Sequence, residues 1–254
     1  MYSNDEDEFK INHTPVRFNE LVFCDDPTAT KLAHYAVGRK WDHLLLHGVP
    51  GTGKTVCART IVRELQYLAD PKQLRVVDYN RRTFVSFDDI LNDFGMMRHQ
   101  VQTKYLYVVI NEVDQLGEKL LYELQGFLDD VETGRLIMTT NHPQALSRAL
   151  QSRCDVYEIK MPTPDRWLRR AQHMLMAEGV TVSDAEVEAV LQHCGTGRDI
   201  RRNLWDLILK MRPIQPSVVV MPQPAATVLM PSVSATASIV TLSGGSSSTL
   251  TPQS

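Results

Sequence analysis

Residues 47–55 read His-Gly-Val-Pro-Gly-Thr-Gly-Lys-Thr, and this stretch decides the fold. It contains the pattern G-x-x-x-x-G-K-[ST], whose glycines let successive backbone N–H groups converge on phosphate oxygens. The apolar run before it (43–48) predicts a buried strand, and the amphipathic stretch after it (54–69) predicts a helix. The plain alternative is a glycine-rich turn with an exposed lysine. The flanking strand and helix favour a phosphate-binding loop, because such a loop needs both.

Each position of this loop has a predicted role in binding ATP. Lys54 is expected to reach the β- and γ-phosphates, and Thr55 is expected to bind Mg²⁺ through its hydroxyl. The backbone of the whole loop surrounds the phosphates. The predicted ATP-binding residues are therefore Gly48, Val49, Pro50, Gly51, Thr52, Gly53, Lys54 and Thr55.

Short apolar runs alternate with amphipathic stretches on both sides of the loop, which is typical of a parallel sheet covered by helices. The predicted strands are 43–48, 74–79, 105–111, 135–140 and 155–160, and the predicted helices between them are 27–38, 54–69, 87–99, 115–131 and 144–150. After Pro162 the strand signals stop, and three helices are expected at 164–178, 183–193 and 197–211. The predicted fold class is α/β, a five-stranded parallel sheet sandwiched by helices and followed by a small all-helical lid domain.

The distribution of charge divides the chain into segments. Of the 30 acidic and 27 basic residues, residues 1–10 hold four acids and Lys10, which leaves 26 of each for the rest. Residues 213–254 contain no Asp, Glu, Lys or Arg. We therefore expect an acidic tail, an α/β nucleotide-binding domain, a helical lid and a disordered tail, over 1–14, 15–161, 162–212 and 213–254.

Composition also excludes several classes of protein. Four scattered cysteines among 254 residues are too few for a disulfide scaffold, and the acidic N-terminus is unlike a signal peptide. No run reaches the ~18 apolar residues that span a bilayer. His43 and His47 would lie about 13 Å apart on a strand, too far to share one ion. We expect a soluble intracellular protein without membrane contact and without a protein-ligated metal beyond Mg²⁺.

Polar residues end two of the apolar strands, where they would meet the loop at the carboxyl edge of the sheet. Asn111 and Glu112 follow the strand at 105–111, and Asn141 follows the strand at 135–140. At the first position an ATPase of this kind normally has an Asp that binds Mg²⁺. Asn111 is predicted to contact the Mg²⁺ shell without adding charge. Glu112 is the predicted general base, and Asn141 is predicted to orient the attacking water.

The order of these motifs resembles that of an AAA+ ATPase, and more narrowly that of the small subunits of clamp loaders, the replication factor C group, over about residues 15–211. The matching runs are the loop, NEVD (111–114), TTN (139–141), SRC (152–154) and DIRR (199–202). The resemblance implies that Arg153 is an arginine finger acting in trans on ATP of a neighbouring subunit. It also implies that Arg201 reaches the γ-phosphate from the lid. Without the resemblance both arginines read as ordinary surface charges.

The segment PVRFNELVF (15–23) is similar to the one that packs near the adenine in that family. GVPGTGKT followed by EVDQL also resembles the origin-recognition branch, whereas SRC favours the clamp-loader branch. Three departures stand out: Asn111 replaces an Asp, Gln125 and Gly126 replace arginines, and an uncharged tail stands where clamp loaders continue into a helical collar domain.

The resemblance implies ATP and Mg²⁺ bound between copies of the chain or related AAA+ subunits, in a ring, spiral or filament. It also implies duplex or primer–template DNA and a sliding clamp as partners in replication. Arg81 and Arg82 are the candidate DNA contacts, although the balanced charge and a pI near 6.2 give no global basic signal. The alternative is a weakly hydrolysing scaffold or recruiter that forms ATP-dependent filaments on DNA. A structural protein with a vestigial site is disfavoured by the intact Lys54 and Thr55.

Overall fold

A computed structural model of the chain describes residues 5–68, 74–79, 86, 105–130 and 134–212. Five parallel strands form one sheet in the order β2-β3-β4-β1-β5. Their bounds are β1 His43–His47, β2 Leu74–Tyr79, β3 Tyr105–Ile110, β4 Gly134–Thr140 and β5 Cys154–Glu158. The predicted parallel five-stranded sheet is confirmed, and each strand lies within two residues of its predicted position.

Strand order determines which loops come together. β1 lies between β4 and β5, with Leu46 paired to Thr139 on one side and to Tyr157 on the other. β3 lies next to β4 on its far side. Because all strands are parallel, the segments that follow β1, β3 and β4 emerge at the same carboxyl edge. The glycine-rich loop therefore lies at the carboxyl end of the sheet, together with residues 111–114 and Asn141.

Eight α-helices lie within the described residues. They are α1 Asp5–Asn12, α2 Asp26–Ala36, α3 Lys54–Leu68, α4 Glu118–Asp130, α5 Arg148–Gln151, α6 Pro164–Ala177, α7 Asp184–Leu191 and α8 Gly197–Met211. The helix predicted at 87–99 lies outside the described residues. In the part of the chain that the structure describes, no helix combines the length and the apolar character that crossing a bilayer requires.

The single helix predicted at 144–150 is instead a 3-10 turn, Pro143–Ala145, followed by the short helix α5. Leu146 is extended between them, with φ −93° and ψ 140°. Ser147 then caps α5, because its hydroxyl accepts a hydrogen bond from the Leu150 N–H at 3.1 Å. A local side-chain cap thus restarts the helix two residues after the turn.

Helices cover both faces of the sheet. On β1, Leu45 packs into one hydrophobic cluster together with Leu124 and Phe127 of α4. The neighbouring Leu44 and Leu46 pack into a second cluster with residues of α2 and α3. This alternation follows from the two-residue period of a strand. Because both faces are buried, the sheet is held rigidly, and the loops at its carboxyl edge are anchored on it.

A third hydrophobic cluster joins α1 to the three helices after the sheet. The sequence predicts an acidic tail over 1–14, and here the structure differs. Phe9 of α1 is buried at 2% exposure, and its ring lies 5.5 Å from that of Trp205 on α8. His13, just after α1, also pairs with Glu178 at 2.8 Å. One buried aromatic side chain is enough to dock an otherwise acidic helix, since its burial contributes about 1.5–3 kcal/mol.

Candidate functional site

The glycine-rich loop between β1 and α3 forms a cradle in which glycine is required at two positions. Gly48 has φ +143°, and a Cβ there would lie 2.5 Å from the carbonyl oxygen of Ile159. Gly51 has φ +87°, and a Cβ there would lie 2.7 Å from the Cβ of Thr196. α3 begins at Lys54, so the first N–H groups of this helix have no carbonyl partner within it. The cradle therefore presents backbone donors and the positive end of a helix.

Lys54 is held across the cradle. Its ammonium donates to the carbonyl oxygens of Gly48 and Val49 at 2.9 and 2.8 Å, which uses two of its three donors. The residue is 7% exposed. Burial lowers the pKa of Lys54, and the nearby charges of Asp114 and Glu112 oppose that shift. The ammonium thus lies between the loop and the carboxylates that follow β3.

Glu112 has an unusual backbone conformation directly after Asn111. Among the described residues it is the one non-glycine with positive φ, at φ 56° and ψ 51°. Its N–H donates to the hydroxyl of Thr139 at 3.2 Å, and its carboxylate accepts from Gln115 at 2.9 Å. A left-handed glutamate costs free energy and persists where its surroundings enforce it. The side chain is exposed at the edge of the sheet, where a water molecule can reach it.

Asp114 belongs to the same group of side chains, although its sequence position predicted no role for it. Its carboxylate accepts a hydrogen bond from the buried Thr140 hydroxyl at 2.7 Å, and its charge acts on Lys54. The signal was available, because Asp114 stands two residues after Glu112 in the NEVD run. Asn141 follows Thr140 at this edge and is half-buried. Thr55, also half-buried, lies in the first turn of α3.

Asn111 is buried and contacts a carboxylate that is distant from it in sequence, Asp78. Its amide donates to Oδ1 of Asp78 on β2 at 2.8 Å, and the hydroxyl of Thr139 lies 3.5 Å from its carbonyl oxygen. The other carboxylate oxygen of Asp78 pairs with Arg59 of α3. The residue that follows β3 is therefore an amide held beside a carboxylate.

An apolar cleft adjoins the cradle. It is formed by the segment at 15–23, the residues that follow β5, and helix α6, with Leu21, Val22, Phe23, Ile159, Met161 and Trp167 in its wall. Segment 15–23 thus lines a cleft next to the cradle, and its contact with the adenine stays a prediction. The indole N–H of Trp167 is buried and has no hydrogen-bond partner among the described residues. Trp167 itself is half-buried at the wall of this cleft.

Arg201 of α8 lies at the same cleft. Burial lowers the pKa of Arg201, and the neighbouring Arg198 adds to that shift. The start of α8 also contacts the cradle directly, because the Gly197 N–H donates to the Gly51 carbonyl at 3.0 Å. The start of α8 and the cradle are therefore in contact, and the half-buried Arg201 lines the same cleft as the cradle glycines Gly51 and Gly53.

Arg153 lies at the opposite end of the sheet, where β1 and β5 begin. It directly precedes β5, whose first residue, Cys154, pairs with His43 at the start of β1. The cradle follows His47 at the far end of β1, about 13 Å further along the strand. Arg153 is thus separated from the cradle of its own chain. The candidate DNA contacts Arg81 and Arg82 lie outside the described residues.

The residues present fit a nucleoside triphosphate with Mg²⁺. The cradle supplies backbone donors and a lysine, and the cleft supplies an apolar wall with one unpaired indole N–H. In the described part of the chain, no three His, Cys, Asp or Glu side chains converge on one point. A site of this kind suits Mg²⁺ held by one or two protein oxygens together with phosphates, rather than a closed protein cage.

Comparison with known proteins gives similarities over part of the chain. Residues 44–161 match the family described as "ATPase family associated with various cellular activities (AAA)". The fold is also that of a mutant RuvB from Thermotoga maritima, with a TM-score of 0.61 at 21% identity over 78% of this chain and 72% of that one. The predicted class, α/β of the AAA type, is confirmed.

Curated relatives narrow the resemblance to replication factor C. The chain is 26% identical over 209 residues to replication factor C subunit 4 of Caenorhabditis elegans, which covers 77% of this chain and 60% of the relative. It is 24% identical over 183 residues to the replication factor C small subunit of Methanosarcina acetivorans, covering 70% and 54%. The chain thus spans about three fifths or less of the length of these relatives.

Proposed function

We propose that the protein is an ATP-hydrolysing AAA+ subunit that binds ATP and Mg²⁺ between neighbouring subunits and acts on DNA, as a clamp-loader-like factor in replication. The observation that carries this proposal is the position of Arg153 at the edge of the sheet opposite its own cradle. An arginine at that position would contact ATP bound by a neighbouring subunit. The copies, or related AAA+ subunits, would then form a ring, spiral or filament.

Each residue at the carboxyl edge has a role in this proposal. The cradle and Lys54 would bind the phosphates, while the Thr55 hydroxyl and the Asn111 carbonyl would hold the Mg²⁺ shell. When bound, Mg²⁺ supplies positive charge against the phosphate oxygens. Glu112 takes the proton of the attacking water, which Asn141 orients.

Two arginines complete the site. Arg201 approaches the γ-phosphate from the lid, and the neighbour's Arg153 neutralises charge that develops there. We also propose that residues 15–161 act as the nucleotide-binding domain and residues 162–212 as its lid. The contact between Gly197 and Gly51 supports a lid that responds to what the cradle holds.

DNA and a sliding clamp are proposed as partners because the relatives are named replication factor C subunits. Arg81 and Arg82 remain the proposed DNA contacts. Several copies tracking one duplex would compensate for few phosphate contacts per subunit.

The alternative function is a weakly hydrolysing scaffold or recruiter that forms ATP-dependent filaments on DNA. It is favoured by one observation, the amide of Asn111 at the position that normally carries an acid. Steady-state ATPase rates with and without primer–template DNA separate the two functions. Strong stimulation supports the loader, whereas negligible turnover with stable filaments in particle images supports the scaffold.

Mixing two inactive variants tests whether Arg153 acts in trans. Lys54→Ala removes the cradle lysine and keeps Arg153, while Arg153→Ala keeps the cradle and lacks the finger. A mixture is expected to regain part of the ATPase activity that each variant lacks alone. Arg63→Ala, an exposed arginine on α3, is the matched control and should retain full activity. A mixture that stays as inactive as its components, or an active Arg153→Ala, contradicts the proposal.

A further inference from the structure

The carboxylate nearest to Asn111 comes from the neighbouring strand. Asp78 lies one residue before the end of β2, and its Oδ1 accepts from the Asn111 amide at 2.8 Å. Its Oδ2 is held by Arg59 on α3. Asn111 is 6% exposed, so its amide depends on protein partners. Asp78 thus places one negative charge beside Asn111 at the carboxyl ends of β2 and β3, although residue 111 itself is not acidic.

Two acceptors on β2 set which way the Asn111 amide points: Oδ1 of Asp78 at 2.8 Å and, more distantly, the Tyr79 carbonyl oxygen at 3.5 Å. An asparagine side chain has a donor end and an acceptor end. The donor end faces β2, so the carbonyl end faces β4, where the Thr139 hydroxyl lies at 3.5 Å. In the sheet order β2-β3-β4-β1 this is the side of the cradle. The reverse orientation would set a carbonyl oxygen against the carboxylate of Asp78, which is unfavourable because both groups only accept.

We propose that Asp78 is a positioning residue that directs the carbonyl oxygen of Asn111 toward the nucleotide-bound Mg²⁺, so that Asp78 and Asn111 act as one unit with a single negative charge. The part of this proposal that concerns Mg²⁺ rests on the proposed function. An acid at position 111 would face a second acid at hydrogen-bonding distance. Restoring the usual acid alone should therefore damage the site, and moving the charge from 78 to 111 should repair it.

The pairing is tested first by thermal unfolding without nucleotide. Asn111→Asp is expected to lower the unfolding midpoint by about 5–10 °C, because a carboxylate at the buried position 111 then lies at hydrogen-bonding distance from the Asp78 carboxylate. Adding Asp78→Asn should recover most of that loss, since the pair again carries one charge. Adding Asp155→Asn, which removes another strand carboxylate that has a cationic partner, should recover nothing. An Asn111→Asp variant as stable as wild type, or a double variant with merely additive losses, overturns the proposal.

The orientation toward Mg²⁺ is tested by binding of a fluorescent ATP analogue with Mg²⁺ and with EDTA. In Mg²⁺ the Asp78→Asn/Asn111→Asp protein should bind at least about tenfold more tightly than Asn111→Asp alone, and in EDTA the two should be equal. Equal affinities in Mg²⁺ overturn the orienting role. If the wild-type protein binds no nucleotide, both the proposed function and the orienting role are contradicted. Thermal unfolding of the single and double variants still tests whether Asp78 and Asn111 act as a pair.

Discussion

Arg153 and Asp129 of the same chain form a two-point ion pair, with Nε–Oδ1 at 2.6 Å and Nη2–Oδ2 at 2.7 Å. Nη1 donates to the carbonyl oxygen of Ala149 at 2.7 Å. The hydrogen bond to Asp129 raises the pKa of Arg153, and the same bond lowers the pKa of Asp129. The whole guanidinium is thus engaged within its own chain. In the proposed arrangement, this pair would have to open before Arg153 could reach ATP on a neighbouring subunit.

Asp129→Asn should therefore raise the ATPase rate measured at low protein concentration. We expect an increase of about twofold to fivefold, since an exposed ion pair restrains a side chain only weakly. Glu123→Gln, on the same helix and paired with Lys119, is the matched control and should change nothing. A loss of activity like that of Arg153→Ala would mean that Asp129 supports the finger rather than restrains it.

Glu112→Gln should bind ATP with unchanged affinity and lose turnover by about 10²–10⁴-fold, because the amide cannot take a proton from water. The substitution keeps the length of the side chain and leaves the left-handed backbone in place. Binding of labelled ATP and single-turnover hydrolysis measure the two effects separately. Turnover close to that of wild type would remove Glu112 from the proposed role.

Gly51→Ala and Gly53→Ala should differ in their effect on stability. Both positions have positive φ, +87° and +94°, so each alanine costs about 1–2 kcal/mol of backbone strain. Only the Cβ at position 51 would meet another residue of the described chain, Thr196 at 2.7 Å, and this overlap adds about 1–3 kcal/mol. Urea unfolding without nucleotide measures the free energy of unfolding of both variants. Equal losses would mean that the lid does not rest on the cradle.

The free energy of unfolding should fall as the pH is lowered from about 6.5 to about 4, in part because of His43. Burial, followed by the charge of Arg135, lowers the pKa of His43 to about 4. Its Nδ1 accepts from the Leu136 N–H at 3.1 Å, which requires a neutral ring. The neutral His43 ring therefore contributes up to about 3 kcal/mol to the free energy of unfolding at a pH above the pKa of an unfolded histidine, about 6.5. This contribution is lost as the pH falls from there to about 4.

His43→Asn should make the free energy of unfolding depend less on pH between 4 and 6.5, because an amide can accept the same hydrogen bond and does not titrate in this range. His34→Asn, at an exposed position on α2, is the control and should leave this pH dependence unchanged. The measurement is urea unfolding at several pH values between 4 and 7. An identical slope in His43→Asn and wild type would contradict the assignment to His43.

The strands and the cradle could be predicted from sequence because their signals are local. The loop at 47–55 carries its own motif, and each apolar run has the length of a strand. Helix α5 was predicted too long, because a 3-10 turn and the Ser147 cap divide that stretch. Phe9 was missed because four acids around one aromatic residue are typical of a solvated segment. Whether such a helix docks depends on a surface that other helices build.

The sequence by itself therefore determined the phosphate cradle, the parallel sheet and the polar residues at the ends of its strands. Only the tertiary structure determined the partner of the Asn111 side chain. Asp78 lies 33 residues away along the chain and contacts Asn111 because β2 pairs with β3. The tertiary structure likewise decided that Arg153 lies opposite the cradle of its own chain. The physical reason is the same in both cases. A pattern in the chain reports neighbours along the backbone, whereas charge and hydrogen bonding act between groups that only the folded sheet brings together.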